Sequence, residues 1–129
     1  MKSENQAFET RLSVQQVAGV INDAFRSMKA SVNRIQASDN PLDAFTEDEA
    51  AIAVVGARQG LMNQWAVQAY IYELDDRRGV EFVALGDGGF GRAMNGTRNT
   101  ASLSKSTQQM QLLVAALKTA DPQARAINA

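Results

Sequence analysis

The chain contains no histidine and no cysteine in its 129 residues. Without thiols there can be no disulfide scaffold, no Cys-based zinc site and no thiol nucleophile. Without imidazole, Ser–His–Asp triads and histidine general bases are excluded as well. The lack of cysteine carries no message about redox compartment, since reducing and oxidising environments both tolerate it. Aromatic residues make up 6% of the chain, with a single tryptophan. Neither sign of charge prevails: 13 basic residues face 14 acidic ones, for a net charge of -1. No stretch of about 18 apolar residues is present to span a membrane. The opening residues, Met1 to Gln6, are polar and lack the apolar core of a secretion signal, so a cytoplasmic location is the default expectation. The length suits one domain covering residues 1–129, with residues 1–6 and 123–129 expected as disordered ends. These counts exclude much and name no function.

What is present is hydrophobic patterning. Phe8 to Leu12 alternates apolar and polar side chains, as a short half-buried strand does. Ser13-Val14-Gln15-Gln16 then has the form of a capping box, with Leu12 and Val17 placed as a hydrophobic staple. Val14, Val17, Ile21, Phe25, Met28, Val32 and Ile35 recur at steps of three and four, which predicts one long helix from about residue 14 to 35. Asp39-Asn40-Pro41 marks a turn. Residues 46–60 carry conflicting signals. Thr46 to Glu49 opens like a helix, yet Ile52, Val54 and Val55 are β-branched and Gly56 would sit mid-helix, so a strand is favoured over 51–58.

A hairpin follows. Trp65, Val67, Ala69 and Ile71 alternate with Ala66, Gln68, Tyr70 and Tyr72. Asp75-Asp76-Arg77-Arg78-Gly79 makes a polar turn, and Val80 to Leu85 returns. Residues 86–99 are glycine-rich, and Asn95-Gly96 offers a tight turn for a further short hairpin. A last helix begins near Ser102 or Ser104, buries Leu103, Met110, Leu113, Val114 and Leu117, and stops at Asp121-Pro122. The predicted architecture is therefore α+β: strand, long helix, three or four antiparallel strands, long helix, as a two-layer sheet with helices packed across it. In topology alone it resembles the TBP-like or helix-grip class of folds, in which helices lie across a curved antiparallel sheet. That resemblance spans most of the chain, brings no motif with it, and implies no single function.

The motifs that could carry chemistry are few. Gly86-Asp87-Gly88-Gly89-Phe90-Gly91 fits the spacing of a dinucleotide-binding turn, but no helix opens after Gly91 and no βαβ unit surrounds it. A plain glycine-rich connection is the simpler reading. Charge is uneven along the chain. Residues 1–76 carry 6 basic and 11 acidic groups, net -5, while 77–105 carry five basic and two acidic, net +3. An anion site assembled from Gly88, Gly89, Arg92, Arg98 and Lys105 at the start of the last helix is one functional expectation; scattered solubilising arginines are the alternative. Nucleic-acid binding is not expected, because the chain is slightly acidic and its aromatics are not interleaved with arginines. The acidic runs Glu47-Asp48-Glu49 and Glu73 to Asp76 read as a helix start and a turn rim ahead of cation or acid–base sites. Ser102 and Lys105, three apart, read as a helix cap ahead of a Ser–Lys pair.

The central hairpin is apolar on both faces, with Gln68 the polar exception on the Ala66–Tyr70–Tyr72 side. A sheet with one solvated face alternates more cleanly. Two explanations compete: one helix on each face, or both on one face with a second copy, ligand or partner on the other. The leading expectation is a non-enzymatic ligand-binding or interaction module, homodimeric through a sheet face. Its ligand would be small and apolar or amphipathic, lined by Trp65, Tyr70, Tyr72, Phe82 and Met110. The alternatives are an anion or phosphate-ester binding protein, or a weak enzyme on such a substrate, using the glycine-rich 86–105 segment, and a pure association subunit. No cofactor, metal, nucleic acid or membrane partner is expected.

Overall fold

The computed structural model describes residues 3–35, 50–58, 64–86 and 103–127. In chain order they form β1 (Ser3–Thr10), α1 (Val14–Ser27), β2 (Ser31–Arg34), β3 (Ile52–Arg58), β4 (Trp65–Glu73), β5 (Arg78–Leu85), α2 (Leu103–Ala120) and β6 (Arg125–Ile127). Among the described residues the protein is α+β, with two helices and one six-stranded antiparallel sheet in the order β2-β3-β4-β5-β1-β6. No helix of the described residues is long and apolar enough to cross a membrane.

The start of α1 follows from its sequence. Ser13 Oγ accepts the Gln16 amide at 3.1 Å, and Gln16 Oε1 accepts the Ser13 amide at 2.8 Å, so two of the helix's unpaired donors are satisfied. Its end corrects the expectation of a helix to residue 35. Lys29 turns left-handed with φ 59°. The Lys29 amide then donates to Arg26 O and the Ala30 amide to Phe25 O, both at 3.0 Å. This is a Schellman ending, a role in which glycine is usual; a lysine there gives no sequence signal. Residues 31–34 become β2 instead. The Met28, Val32, Ile35 spacing that mimicked a helix stripe is coincidental. Val32 lies on the helix-covered side of the sheet and Ile35 packs with the residues of the opposite side.

The 51–58 ambiguity resolves as strand, with β3 paired to β4 from Ile52–Ile71 to Arg58–Trp65. The hairpin pairs Glu73 with Arg78 and Ala66 with Leu85. The first strand is longer than its alternation suggested: β1 runs from Ser3, and its partner β5 supplies the register through Thr10–Arg78. Strand also occurs where the sequence suggested a loose end, since Arg125 to Ile127 pair with Glu9 to Ala7. The possible Asn95-Gly96 hairpin lies outside the described residues.

Both helices cover the same face of the sheet. Val17, Ile21 and Phe25 of α1 and Met110, Leu113, Val114 and Leu117 of α2 form one core with Phe8, Val54, Trp65, Val67, Ala69, Ile71, Val80, Phe82 and Ala84. The arrangement of one helix per face is thus corrected for the described helices. The opposite face carries Ala53, Val55, Ala57, Ala66, Tyr70, Tyr72, Val83 and Leu85, and these are also buried.

Gly56 marks a close approach between the sheet and α1. A Cβ at this position would lie 2.2 Å from Phe25 Cε1. The Phe25 ring itself stacks on Trp65, with centroids 6.4 Å apart and planes at 19°. The missing side chain of one strand residue thereby lets an aromatic ring of α1 rest on the sheet.

Candidate functional site

The expected ligand-lining residues separate in the fold. Trp65, Phe82 and Met110 belong to the core beneath the helices. Tyr70 and Tyr72 belong to the other face. All five are at most 3% exposed, and of them only Trp65 borders a described cleft. Of the expected anion-binding set, Lys105 lies in the first turn of α2. Gly88, Gly89, Arg92 and Arg98 lie outside the described residues, as do positions 87–91 of the glycine motif, Glu47 to Glu49 and Ser102. Glu73, Asp75 and Asp76 lie at the β4–β5 turn, where Asp76 and Glu73 engage Arg77 and Arg78 respectively. Among the described residues no group of three acidic, histidine or cysteine side chains converges as a metal site.

The structure does bring Trp65 and Lys105 together. Met28, Arg58, Trp65, Lys105, Gln108 and Gln109 line a cleft of about 240 Å³. Three element ends meet there. Arg58 ends β3 directly opposite Trp65, the first residue of β4. Met28 closes α1. Lys105, Gln108 and Gln109, spaced by three and four, share a face on the first turns of α2. Ser106, next to Lys105 and fully buried, fixes this geometry: its Oγ accepts the Ala66 amide at 3.0 Å, pinning α2 to the start of β4. Two cations and two carboxamides therefore face a cleft whose described lining includes no acid. The nearby N-terminal end of α2 adds partial positive charge. Such a lining can hold an anion by charge and hydrogen bonding, with Met28 and Trp65 as its less polar members. Among the described lining residues there is no nucleophile–base pair.

A larger cleft, of about 480 Å³, is lined by Glu9, Thr10, Arg11, Asp76, Arg77, Asp121, Gln123 and Arg125. Its three positive and three negative charges are largely spent on each other. Glu9 binds Arg77 and receives Arg125 at 2.9 Å, while Arg77 also reaches Asp76 at 2.8 Å. The hydrogen bond from Arg125, followed by that from Arg77, holds the Glu9 carboxyl below its ordinary pKa. The Thr10 hydroxyl, donating at 2.6 Å, does the same for Asp121. This cluster is an ionic seam tying β1, the β4–β5 turn and β6 together.

Besides Arg58 in the cleft with Lys105, sequence reasoning overlooked Glu81. It is fully buried on the Tyr70 face, opposite Tyr70 in the register, and Asn5 Nδ2 donates to its Oε2 at 3.0 Å. Gln68 is buried on the same face. The signal was available: Glu81 occupies the β5 position between Gly79 and Val83 that alternation assigns to this side.

No model of a known protein family matches the chain, and a comparison with curated proteins finds no significant relative.

Proposed function

We propose that the protein is a non-enzymatic binding module for a small amphipathic anion, a phosphate ester or a carboxylate, taken at the Arg58–Lys105 cleft. The observation that carries this reading is the lining itself: two cations and two carboxamides beside Met28 and Trp65. A volume of about 240 Å³ falls below the roughly 300 Å³ at which drug-sized sites begin. The ligand is therefore an anionic group with a short apolar or sugar-like attachment, smaller than a dinucleotide. Homodimerisation is a separate reading to which the cleft adds nothing.

The test is calorimetry and thermal shift with inorganic phosphate, sugar phosphates and short-chain carboxylates, on wild type and on the Arg58→Ala/Lys105→Ala variant. The expected result is saturable binding that weakens with added salt and falls at least about tenfold in the variant. Absence of any shift in wild type, or equal shifts in both proteins, refutes the reading.

A further inference from the structure

We infer that the outer edge of β2 is a docking strand for an extended acidic–aliphatic peptide segment, which adds to the sheet and places one apolar side chain in the cleft beside α1. Three observations lead there, and none involves the Arg58–Lys105 cleft.

The first is an open hydrogen-bonding edge. Among the described residues β2 is terminal in the sheet, and all four of its residues are exposed, Val32 at 39%. The Ile35 amide donates to Ala53 O at 3.0 Å, so Ile35 and Ala53 form a hydrogen-bonded pair of the antiparallel ladder. Backbone groups of alternate residues turn to opposite sides of a strand. Asn33 and Ser31 therefore face β3 as Ile35 does, and the N–H and C=O groups of Val32 and Arg34 point out of the sheet. Two donors and two acceptors at strand spacing are the template that an extended chain completes.

The second is a place for a side chain. Val32 pairs with Gly56 and Arg34 with Val54, on the helix-covered face. There a cleft of about 190 Å³ opens, lined by Ala18 and Ile21 of α1, by Val32, Val54 and Ile71 of the sheet, and by Arg34. A strand added beyond β2 directs alternate side chains to this same face, so one aliphatic residue enters the cleft while its neighbours two positions away pass Arg34.

The third is charge. Arg26, Lys29 and Arg34 stand against a single acid, Asp23, over residues 22–35. A second copy pairing through β2 would bring two such basic stretches together, and like charges across a ladder are destabilising. A four-residue ribbon also falls short of the roughly 1,200 Å² that stable interfaces bury. An acidic partner suits the edge and a second copy does not.

The probe is a fluorescein-labelled peptide, Thr-Glu-Thr-Leu-Thr-Glu-Thr, which presents Glu, Leu and Glu on one side of a strand. Binding is read by anisotropy and by amide chemical shifts. The expected result is saturation below about 1 mM, with shifts confined to β2, α1 and the adjoining end of β3. Val32→Pro removes an outward donor and no ladder bond, and Ala18→Phe plugs the cleft from a half-exposed helix position. Each should weaken binding about tenfold or more. The same peptide N-methylated at leucine should lose binding to a similar degree, an arm that decides the matter even if a protein variant fails to fold. No saturation by wild type overturns the inference. So does binding indifferent to all three changes, or self-association of wild type that Val32→Pro abolishes.

Discussion

Gly56→Ala places a methyl group 2.2 Å from Phe25 Cε1, with two further ring atoms at 2.4 and 2.6 Å. All three contacts are shorter than real side chains tolerate, so the ring or the strand must move. The ring has little freedom: Phe25 is fully buried and stacked on Trp65. Overpacking of this kind costs typically 1–3 kcal/mol. Relief of the glycine's backbone entropy offsets roughly 0.5–1 kcal/mol of it. The net expectation is a loss of about 1–2 kcal/mol, a fall in melting temperature of about 4–8 °C for a chain of this size. A double-mutant cycle isolates the cause. Phe25→Ala alone costs about 3–5 kcal/mol through the cavity it leaves. Adding Gly56→Ala to it should cost nothing further, because the atoms the methyl would strike are gone. The cycle should thus show a coupling of about 1–2 kcal/mol between the two sites, read from urea denaturation by circular dichroism. A Gly56→Ala protein within about 0.5 kcal/mol of wild type, or strict additivity in the cycle, refutes the close-approach argument.

Two further outcomes test other parts of the structure. Ser106→Ala removes the acceptor of the buried Ala66 amide, which should destabilise by about 1–3 kcal/mol and, by loosening the start of α2, reduce anion binding at the Arg58–Lys105 cleft. Unchanged denaturation would show that the amide finds another partner. Glu9 and Asp121 both titrate below their ordinary values in the folded state. Their stabilisation is complete above the unfolded carboxylate range and is lost as pH falls through the folded values. Urea midpoints should therefore drop from about pH 6 to about pH 3, and less steeply for Glu9→Gln and Asp121→Asn. Equal slopes for variants and wild type would mean that the ionic seam contributes nothing.

Much of the fold was legible because local chemistry and long-range packing agreed. The Ser13–Gln16 capping box is complete within four residues, so no distant contact was needed to read the start of α1. The two faces of β4 and β5 followed from period-two alternation, and the register preserves the division read from sequence: Trp65, Val67, Phe82 and Ala84 on one side, Tyr70, Tyr72, Val83 and Leu85 on the other. The end of α1 was not legible. A left-handed lysine is offset by two backbone hydrogen bonds and by β2 pairing with β3, which lies 18 residues further on. The candidate site was only partly legible. Lys105 and Trp65 were each singled out, but for different ligands, and Arg58 not at all, because their meeting depends on the ends of α1, β3 and α2 arriving at one corner.

Composition and periodicity by themselves determined the α+β class, the absence of histidine and thiol chemistry, and which side of each central strand every residue faces. These are consequences of side-chain type and of the geometry of a single element. Only the tertiary structure decided that both described helices share one face, that Glu81 is buried on the other, and that Arg58 and Lys105 flank a common cleft. Each of these depends on contacts between residues tens of positions apart, and no local rule encodes such a distance.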